Sequence, residues 1–241
     1  MSETLTPEGG RGVVSFVHRG GRLTEGQRGA WQAGWARYGR TLDEAPTPLD
    51  LAGWFGRSAP VVMEIGSGMG ESTAALAAAA PEIDHLAVEV YQPGLAQLLM
   101  RIRERGLTNL RLLRGDAVRV LADRLEPGSL DGIRVYFPDP WPKRKHHKRR
   151  LVRPEFAALA AAALRPGATL HLATDWAHYA EQMREVCQAE PLLANRYPDE
   201  PGGWAPRPAW RPLTKYEQRA VAEGRTVRDL IYPRVSHPVS D

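Results

Sequence analysis

The sequence predicts an α/β fold with a mainly parallel sheet and helices on both of its faces. From residue 60 onward, short apolar runs alternate with Ala- and Leu-rich stretches of helical length, and glycine or proline stands at many junctions. Repeated strand–helix units of this kind are typical of parallel sheets covered on both sides. The chain has 241 residues, of which 43% are hydrophobic and 25% charged, so it suits one such domain with an extension and is neither disordered nor fibrous.

The elements follow in a regular order. Strands are predicted at residues 61–63, 85–90, 109–114, 133–137 and 169–173, and helices at 72–80, 95–105, 117–125, 154–164 and 176–187. Before them, Thr24 and Gln27 have capping-box spacing at the start of a helix over residues 24–38. Prolines then precede a short helix over 49–55. We therefore divide the chain into an N-terminal arm with short helices, residues 1–59, and a main domain, residues 60–241.

Composition excludes several classes of protein. The longest apolar stretches are too short to cross a bilayer, and the first residues do not resemble a signal peptide. A single cysteine, Cys187, can form neither an internal disulfide nor a cysteine metal cluster. We expect a cytoplasmic protein with no membrane partner. His146 and His147 have no third ligand nearby in the sequence, so we expect no metal site.

The positive charge of the chain is local. The formal net charge is only +4. The run from Lys143 to Arg150 nevertheless contains six lysines and arginines, with His146 and His147 between them. A stripe of this kind attracts a polyanion to one place, whereas a diffuse excess mainly affects solubility.

A glycine-rich turn directly follows the first strand of the main domain. The segment runs Glu64-Ile65-Gly66-Ser67-Gly68-Met69-Gly70, and glycines at alternate positions let the backbone approach a ligand closely. A plain tight turn is the alternative. Glu89 follows the second strand, where a carboxylate can bind ribose hydroxyls. Asp116 follows the third strand, where it can bind an adenine amine, although by itself it is more typical of a helix N-cap.

The spacing of these glycines bears on which cofactor binds. A dinucleotide fingerprint has the pattern G-x-G-x-x-G and brings a helix N-terminus to a pyrophosphate. Here the pattern is G-x-G-x-G after Glu64, whose charge would repel a pyrophosphate and suit the ammonium of an amino-acid tail. Glu64, Glu89 and Asp116 match the ammonium, ribose and adenine of S-adenosylmethionine. The set is similar to that of Rossmann-like methyltransferases, which we favour over proteins that bind NAD.

The loop after the fourth strand carries the candidate catalytic group. Asp139 lies between Pro138 and Pro140, which restrict the backbone and keep a helix from starting there. A carboxylate held at this edge is placed for catalysis or base recognition, and a proline-rich turn is the alternative. The basic run emerges from the same loop, so a phosphate backbone docked on it would bring a nucleotide to the cofactor.

Two downstream segments remain ambiguous on local chemistry. Asp175 follows the fifth strand in the sequence Thr-Asp-Trp and can be a helix N-cap. Thr214 and Glu217 have capping-box spacing. Local chemistry by itself favours a structural role for both segments.

Taken together, these motifs resemble the bacterial tRNA (guanine-N7-)-methyltransferase family. The resemblance covers residues 14–230, and its most specific part is the Pro-Asp-Pro-Trp segment with the basic run. Residues 15–17 and 21–24 look like the family's N-terminal arm. The chain departs from the family pattern at Val14, usually arginine, and at residues 224–230, Gly-Arg-Thr-Val-Arg-Asp-Leu, where a Gly-His-Gly-Val-Trp-Asp-Leu-like stretch is usual. The departures at Arg225, Thr226 and Arg228 concern C-terminal packing and tRNA binding.

The resemblance implies a fold, a reaction and a set of site residues. The fold is the Rossmann-like one of S-adenosylmethionine-dependent methyltransferases, over residues 60–241, and the reaction is methylation of guanine 46 at N7 in the tRNA variable loop. S-adenosylmethionine is the expected donor, and tRNA is the expected partner of a monomer or homodimer. The implied cofactor-binding residues are Glu64, Gly66, Gly68, Gly70, Glu89, Asp116 and Asp139, with Asp139 also catalytic. The implied substrate-binding residues are Lys143, Asp175, Thr214, Lys215, Tyr216 and Glu217, and the implied RNA-binding residues are Lys145, His146, His147, Lys148, Arg149 and Arg150.

Two questions stay open at this level. A carboxylate near the guanine could come from Asp139 or from Glu217. A small-molecule methyltransferase of the same fold, or a non-catalytic RNA-binding protein with a vestigial pocket, would also explain parts of the pattern.

Overall fold

The computed structural model describes residues 21–236 of the chain. Its strands are β1 (Gly39–Thr41), β2 (Val61–Ile65), β3 (Asp84–Glu89), β4 (Leu110–Arg114), β5 (Leu130–Tyr136), β6 (Leu164–Thr174) and β7 (Arg228–Pro233). Its α-helices are α1 (Glu25–Tyr38), α2 (Leu51–Phe55), α3 (Glu71–Ala79), α4 (Gln92–Arg105), α5 (Ala117–Asp123), α6 (Pro154–Ala163), α7 (Ala177–Gln188) and α8 (Lys215–Ala222). The expectations for Val14 and for residues 15–17 lie outside the described residues.

All seven strands of this part of the chain form one sheet, in the order β1-β4-β3-β2-β5-β6-β7. Every neighbouring pair is parallel except β6 and β7, which are antiparallel. The strand order reverses between β2 and β5, because the chain adds β3 and β4 on one side of β2 and β5 to β7 on the other. The loops that follow β2 and β5 therefore diverge and leave a crevice at the carboxyl edge.

Helices cover both faces of the sheet, as the sequence predicts. One face packs against α1, α3 and α4 through a cluster that includes Ala30, Ala74 and Leu98. The other face packs against α2, α5, α6 and α7, with Phe156 and Met183 among the buried side chains. Strands buried on both sides need apolar residues at successive positions, which explains the continuous apolar runs in the sequence.

Most predicted elements are confirmed with small shifts at their ends. The capping box of α1 is formed, since Thr24 and Gln27 each accept a hydrogen bond from the other's backbone N–H. The helix expected over 49–55 begins at Leu51, because Asp50 caps it through the N–H of Gly53 at 2.8 Å.

The sequence does not predict two strands. β1 pairs with β4, so the region assigned to the arm contributes an edge strand of the sheet. β7 pairs with β6 along six residues and carries the buried Asp229. Both strands are short or contain charged residues, and their pairing partners lie far away in the sequence. Local pattern therefore carries little information about them.

No helix within residues 21–236 is long and apolar enough to span a membrane. In the same part of the chain, no three histidine, cysteine or acidic side chains are grouped so that they could hold a metal ion.

Candidate active site

The glycine loop and the Asp139 loop flank the crevice where the strand order reverses. The glycine loop follows β2, and the Asp139 loop follows the neighbouring strand β5. The structure thus brings together two predicted site segments that are about 70 residues apart in the chain. Open α/β sheets bind ligands at this place.

The backbone of the glycine loop leaves space for a ligand. Gly66 and Gly68 have φ values of +78° and +54°, which few other residues adopt. A Cβ added to either residue would meet no atom within 4 Å. Gly70 has φ +71° and is the N-cap of α3, so the third glycine turns the chain into the helix.

Glu64 lies beside this loop and is buried, with 6% of its surface exposed. Its Oε2 makes no hydrogen bond within the described residues, and neither does the buried Oγ of Ser67. Burial raises the pKa of Glu64 to about 7, although the nearby Arg134 acts to lower it. A buried carboxylate oxygen without a partner is costly unless a ligand binds it. The site therefore fits a cationic group such as an ammonium.

Glu89 and Asp116 both make hydrogen bonds to the backbone. The carboxylate of Glu89 accepts from the N–H of Gly68 at 2.8 Å and from the N–H groups of Val90 and Tyr91 at 2.7 and 2.9 Å. It thereby ties the glycine loop to the start of α4. Asp116 caps α5 through the N–H of Val118 at 2.9 Å, which is the structural alternative that its sequence context favours. Each oxygen of a carboxylate can accept more than one hydrogen bond, so both groups can still bind a ligand.

The Asp139 loop is held in an unusual conformation. Phe137 and Trp141 are not glycines, yet their φ values are +52° and +44°. The backbone N–H of Phe137 donates to Ala173 at 2.8 Å, which fixes the loop to β6. Backbone strain of this kind persists only where the surroundings enforce it, and it concentrates at functional sites. Asp139 is half-buried between these two residues.

The basic run forms a 3₁₀ helix over Arg144–Arg149. Lys143, Arg144, Lys145 and Lys148 are exposed, while His146, His147 and Arg149 are half-buried. The Arg149 guanidinium stacks on Trp141 at 3.9 Å from the ring centroid, and His146 stacks on its ring at 5.8 Å. Partial desolvation and neighbouring cations lower the pKa of both histidines. A polyanion can reach the exposed cations, of which Lys145 and Lys148 are three residues apart and so lie on the same side of the 3₁₀ helix.

The predicted RNA contact of Arg150 is wrong in this structure. Its side chain is fully buried and donates to the carbonyl of Pro140 at 2.8 Å and to Oε1 of Gln182 at 2.6 Å. The guanidinium also lies over the ring of Tyr179, 4.7 Å from its centroid. A side chain enclosed in this way cannot touch an RNA backbone. Arg150 instead fastens the Asp139 loop to α7.

Glu217 is likewise buried, and its carboxylate is paired within the protein. Its Oε1 accepts from Arg207 at 2.6 Å and from Arg211 at 2.9 Å, and its Oε2 accepts from the same two residues at 3.0 and 2.9 Å. The two guanidiniums hold the pKa of Glu217 below its usual value, even though burial acts to raise it. All four acceptor positions of the carboxylate are filled. These bonds favour the structural role that the local chemistry of this segment indicates.

The rest of the 214–217 segment lies at the crevice. Thr214 caps α8 through the N–H of Glu217 at 3.2 Å, as its spacing indicates. Tyr216 is 66% exposed, and its ring stacks on Phe137 with 6.5 Å between centroids. Lys215 reaches Glu71 at the start of α3, with 3.9 Å between Nζ and Oε2. The start of α8 thus contacts the Asp139 loop and the first residue of α3, which directly follows the glycine loop.

Asp175 does not cap α7. The N-cap is Trp176, and the Asp175 carboxylate instead accepts from Nε of Arg225 at 2.7 Å. Arg225 is one of the positions at which the chain departs from the pattern of the family it resembles.

A buried polar network supports the site, and no sequence motif indicates it. Nε2 of His171 is 2.7 Å from Oδ1 of Asp229, and Nδ1 is 2.9 Å from the hydroxyl of Tyr136. Burial lowers the pKa of His171 although Asp229 opposes the shift. Arg211 is fully buried and bridges Asp229 and Glu217. The available signal was the presence of polar residues inside otherwise apolar strands.

Comparison with known proteins agrees with this geometry. A family model described as "Putative methyltransferase" matches residues 58–230. The chain is 51% identical to the tRNA (guanine-N(7)-)-methyltransferase of Streptomyces avermitilis over 93% of this chain and 76% of the relative. It is 49% identical to the protein of the same name from Alkalilimnicola ehrlichii over 95% and 96% of the two chains. The solved 16S rRNA methyltransferase KamB has the same fold, with a TM-score of 0.51 and 19% identity over 75% of this chain and 90% of that chain.

Proposed function

Because the chain belongs to the tRNA (guanine-N7-)-methyltransferase family, we propose that it methylates N7 of a guanine in tRNA, at position 46 of the variable loop. The observation that carries the proposal is the crevice between β2 and β5. A ligand-accessible glycine loop lies on one side of it, and the Asp139 loop with the basic 3₁₀ helix lies on the other. A methyl donor and an RNA base are the two substrates that such a pair of loops can bring together.

We propose S-adenosylmethionine as the donor, held by the residues around the glycine loop. Bound there, it supplies an electrophilic methyl group. The unpartnered oxygen of Glu64 suits its ammonium group, Glu89 its ribose hydroxyls and Asp116 its adenine amine. Gly66 and Gly68 allow the ligand to pass close to the backbone.

The reaction needs positioning more than proton transfer. N7 of guanine has a free lone pair, so no residue has to remove a proton before the methyl group moves. The protein must hold the base in line with the donor, and orientation of this kind lowers barriers strongly. The strained backbone around Asp139 and the anchor from Arg150 to Pro140 provide a rigid loop for that purpose.

We propose that Asp139 is the carboxylate that stabilises the reacting base. Positive charge moves into the purine as the new bond forms, and a nearby carboxylate then interacts with the base more favourably. Glu217 is the other candidate, but it is only 2% exposed and lies in an ion-pair network with Arg207 and Arg211. Asp139 is half-buried on the loop that faces the crevice.

The exposed cations of the basic run are the proposed docking surface for tRNA. Lys143, Arg144, Lys145 and Lys148 are exposed on the segment that directly follows the Asp139 loop. Contacts with the phosphate backbone there would offset the cost of drawing the target guanine out of its tertiary contacts. The enzyme would modify tRNA in the cytoplasm.

The test is a methyl-transfer assay followed by nucleoside analysis. An unmodified tRNA transcript is incubated with methyl-labelled S-adenosylmethionine, and a second transcript carries adenine in place of guanine 46. We expect labelled N7-methylguanosine from the first transcript and none from the second. Asp139→Asn should lower turnover about 100-fold, the order found when one charge-stabilising group is removed. Label in another nucleoside, or normal turnover in Asp139→Asn, would overturn the assignment of the product or of Asp139, respectively.

A further inference from the structure

Arg225 and Asp175 form an ion pair at the carboxyl edge of the sheet. Nε of Arg225 is 2.7 Å from Oδ2 of Asp175, and the two side chains are only 37% and 22% exposed. An exposed ion pair contributes little, because solvent screens it and two side chains must be ordered. Because it is partly buried and short, the Arg225–Asp175 pair should persist more than an exposed ion pair does.

The backbone fixes Arg225 in place before any substrate binds. Gly224 ends α8 with a φ of +70°, and the N–H of Arg225 donates to the carbonyl of Ala220 at 2.8 Å. The N–H of Gly224 donates to Val221, which completes a Schellman motif. A second carboxylate, that of Glu223, contacts the same guanidinium. The cation is therefore presented to Asp175 from a rigid turn.

Asp175 lies at the carboxyl edge of the sheet, next to the strand end that leads into the Asp139 loop. It follows β6 directly, and β6 pairs with β5, whose end leads into the Asp139 loop. The bond from Phe137 to Ala173 keeps these two strand ends together. Arg225 donates to Oδ2 of Asp175, and a carboxylate with one such bond keeps further acceptor positions.

We infer that Arg225 is a positioning residue that holds Asp175 in the orientation that binds the tRNA substrate. By binding one carboxylate oxygen it limits the rotation of the carboxylate and leaves acceptor positions for a donor from the substrate. Arg225 also joins the end of α8 to β6, while Tyr216 and Lys215 join its beginning to the Asp139 loop and the first residue of α3. The inference rests on the proposed function, because the substrate that Asp175 would bind is the tRNA which that function requires.

The test compares five variants, one of them a double variant, with the wild-type enzyme. Arg225→Ala should raise the KM for tRNA about tenfold, because a misplaced substrate-binding group costs that order of rate or affinity. The Kd for S-adenosylmethionine should stay within about twofold. Arg225→Lys keeps a cation at this position and should recover most of the loss. The control is Arg219→Ala, which removes the other partner of Glu223 on the same helix and leaves the Asp175 pair intact. Its kinetics should match the wild type.

A double-mutant cycle separates positioning from general stability. If Arg225 acts through Asp175, the variant lacking both side chains should be no worse than Asp175→Ala by itself. Unchanged tRNA kinetics in Arg225→Ala, or fully additive losses in the double variant, would refute the inference. Failure of the wild-type enzyme to produce N7-methylguanosine would instead refute the proposed function, so the two failures are distinguishable.

Discussion

At the scale of single residues, Glu64 shows how a carboxylate suited to binding a ligand can lower the stability of the ligand-free protein. Its carboxylate is buried with one oxygen unpartnered, and burial raises its pKa to about 7. Glu64 therefore binds a proton more tightly in the folded chain than in the unfolded chain. Its ionisation consequently destabilises the ligand-free protein as the pH rises from about 4.5 toward 7.

Glu64→Gln should remove this pH-dependent cost. Relative to the wild type, the ligand-free variant should gain up to about 3 kcal/mol of unfolding free energy between pH 4.5 and pH 7.5. Denaturant unfolding at the two pH values measures the difference. The same variant should bind S-adenosylmethionine more weakly in calorimetry, because the charge that faces the ammonium is lost. The exposed Glu82→Gln is the matched control and should change neither quantity. Wild-type affinity in Glu64→Gln would contradict the role of Glu64.

At the scale of elements, the glycine loop depends on its close packing against α4. Gly94 lies in the first turn of α4, and a Cβ placed there would be 2.1 Å from the carbonyl oxygen of Gly68. No atom fits at that distance, so a side chain would push the helix away from the loop. The carboxylate of Glu89 accepts a hydrogen bond from the same loop, and this bond and the Gly94 contact together set the position of the loop.

Gly94→Ala should therefore displace the glycine loop. We expect the affinity for S-adenosylmethionine to fall at least tenfold and the melting temperature to drop, since overpacking typically costs about 1–3 kcal/mol. The comparison is Gly29→Ala in α1, an exposed helical position with no atom within 4 Å of the added Cβ. That variant should be stabilised by about 0.5–1 kcal/mol with unchanged binding. Equal affinity in the two variants would show that the contact does not shape the pocket.

At the scale of the whole molecule, folding exposes some cations of the basic run and buries Arg150. Six cations lie within eight residues, although the net charge of the chain is only +4. The 3₁₀ helix exposes Lys145 and Lys148 beside the crevice and turns Arg150 into the core. The exposed cations are available to phosphates, whereas Arg150 contributes to the folded structure.

The affinity for tRNA should fall as about the third to fourth power of the salt concentration, as expected for about four neutralised phosphates. The double variant Lys145→Ala/Lys148→Ala should reduce that exponent by about 1.5. The control, Arg103→Ala/Arg105→Ala, removes two exposed cations at the far end of α4 and should leave the exponent unchanged. An unaltered exponent in the lysine variant would exclude the run as the docking surface.

Arg150→Ala should lower the melting temperature, because it removes buried hydrogen bonds.

The sequence by itself determined the features that depend on neighbouring residues. The alternation of strands and helices, the capping box of α1 and the cap of α8 all follow from side chains a few positions apart. The position of the glycine loop and the family resemblance also follow from contiguous motifs. Local preferences and local hydrogen bonds survive folding, so these predictions agree with the structure.

The tertiary structure decided which polar groups satisfy each other. β1 and β7 form only against strands that are distant in the chain, and Asp229 is tolerated in β7 because His171 and Arg211 lie opposite it. Arg150, Glu217 and Asp175 have charges that suit RNA or substrate, yet the fold supplies each with an internal partner. A buried or half-buried charge needs a counterpart, and the residue that provides it is known only once the chain is folded.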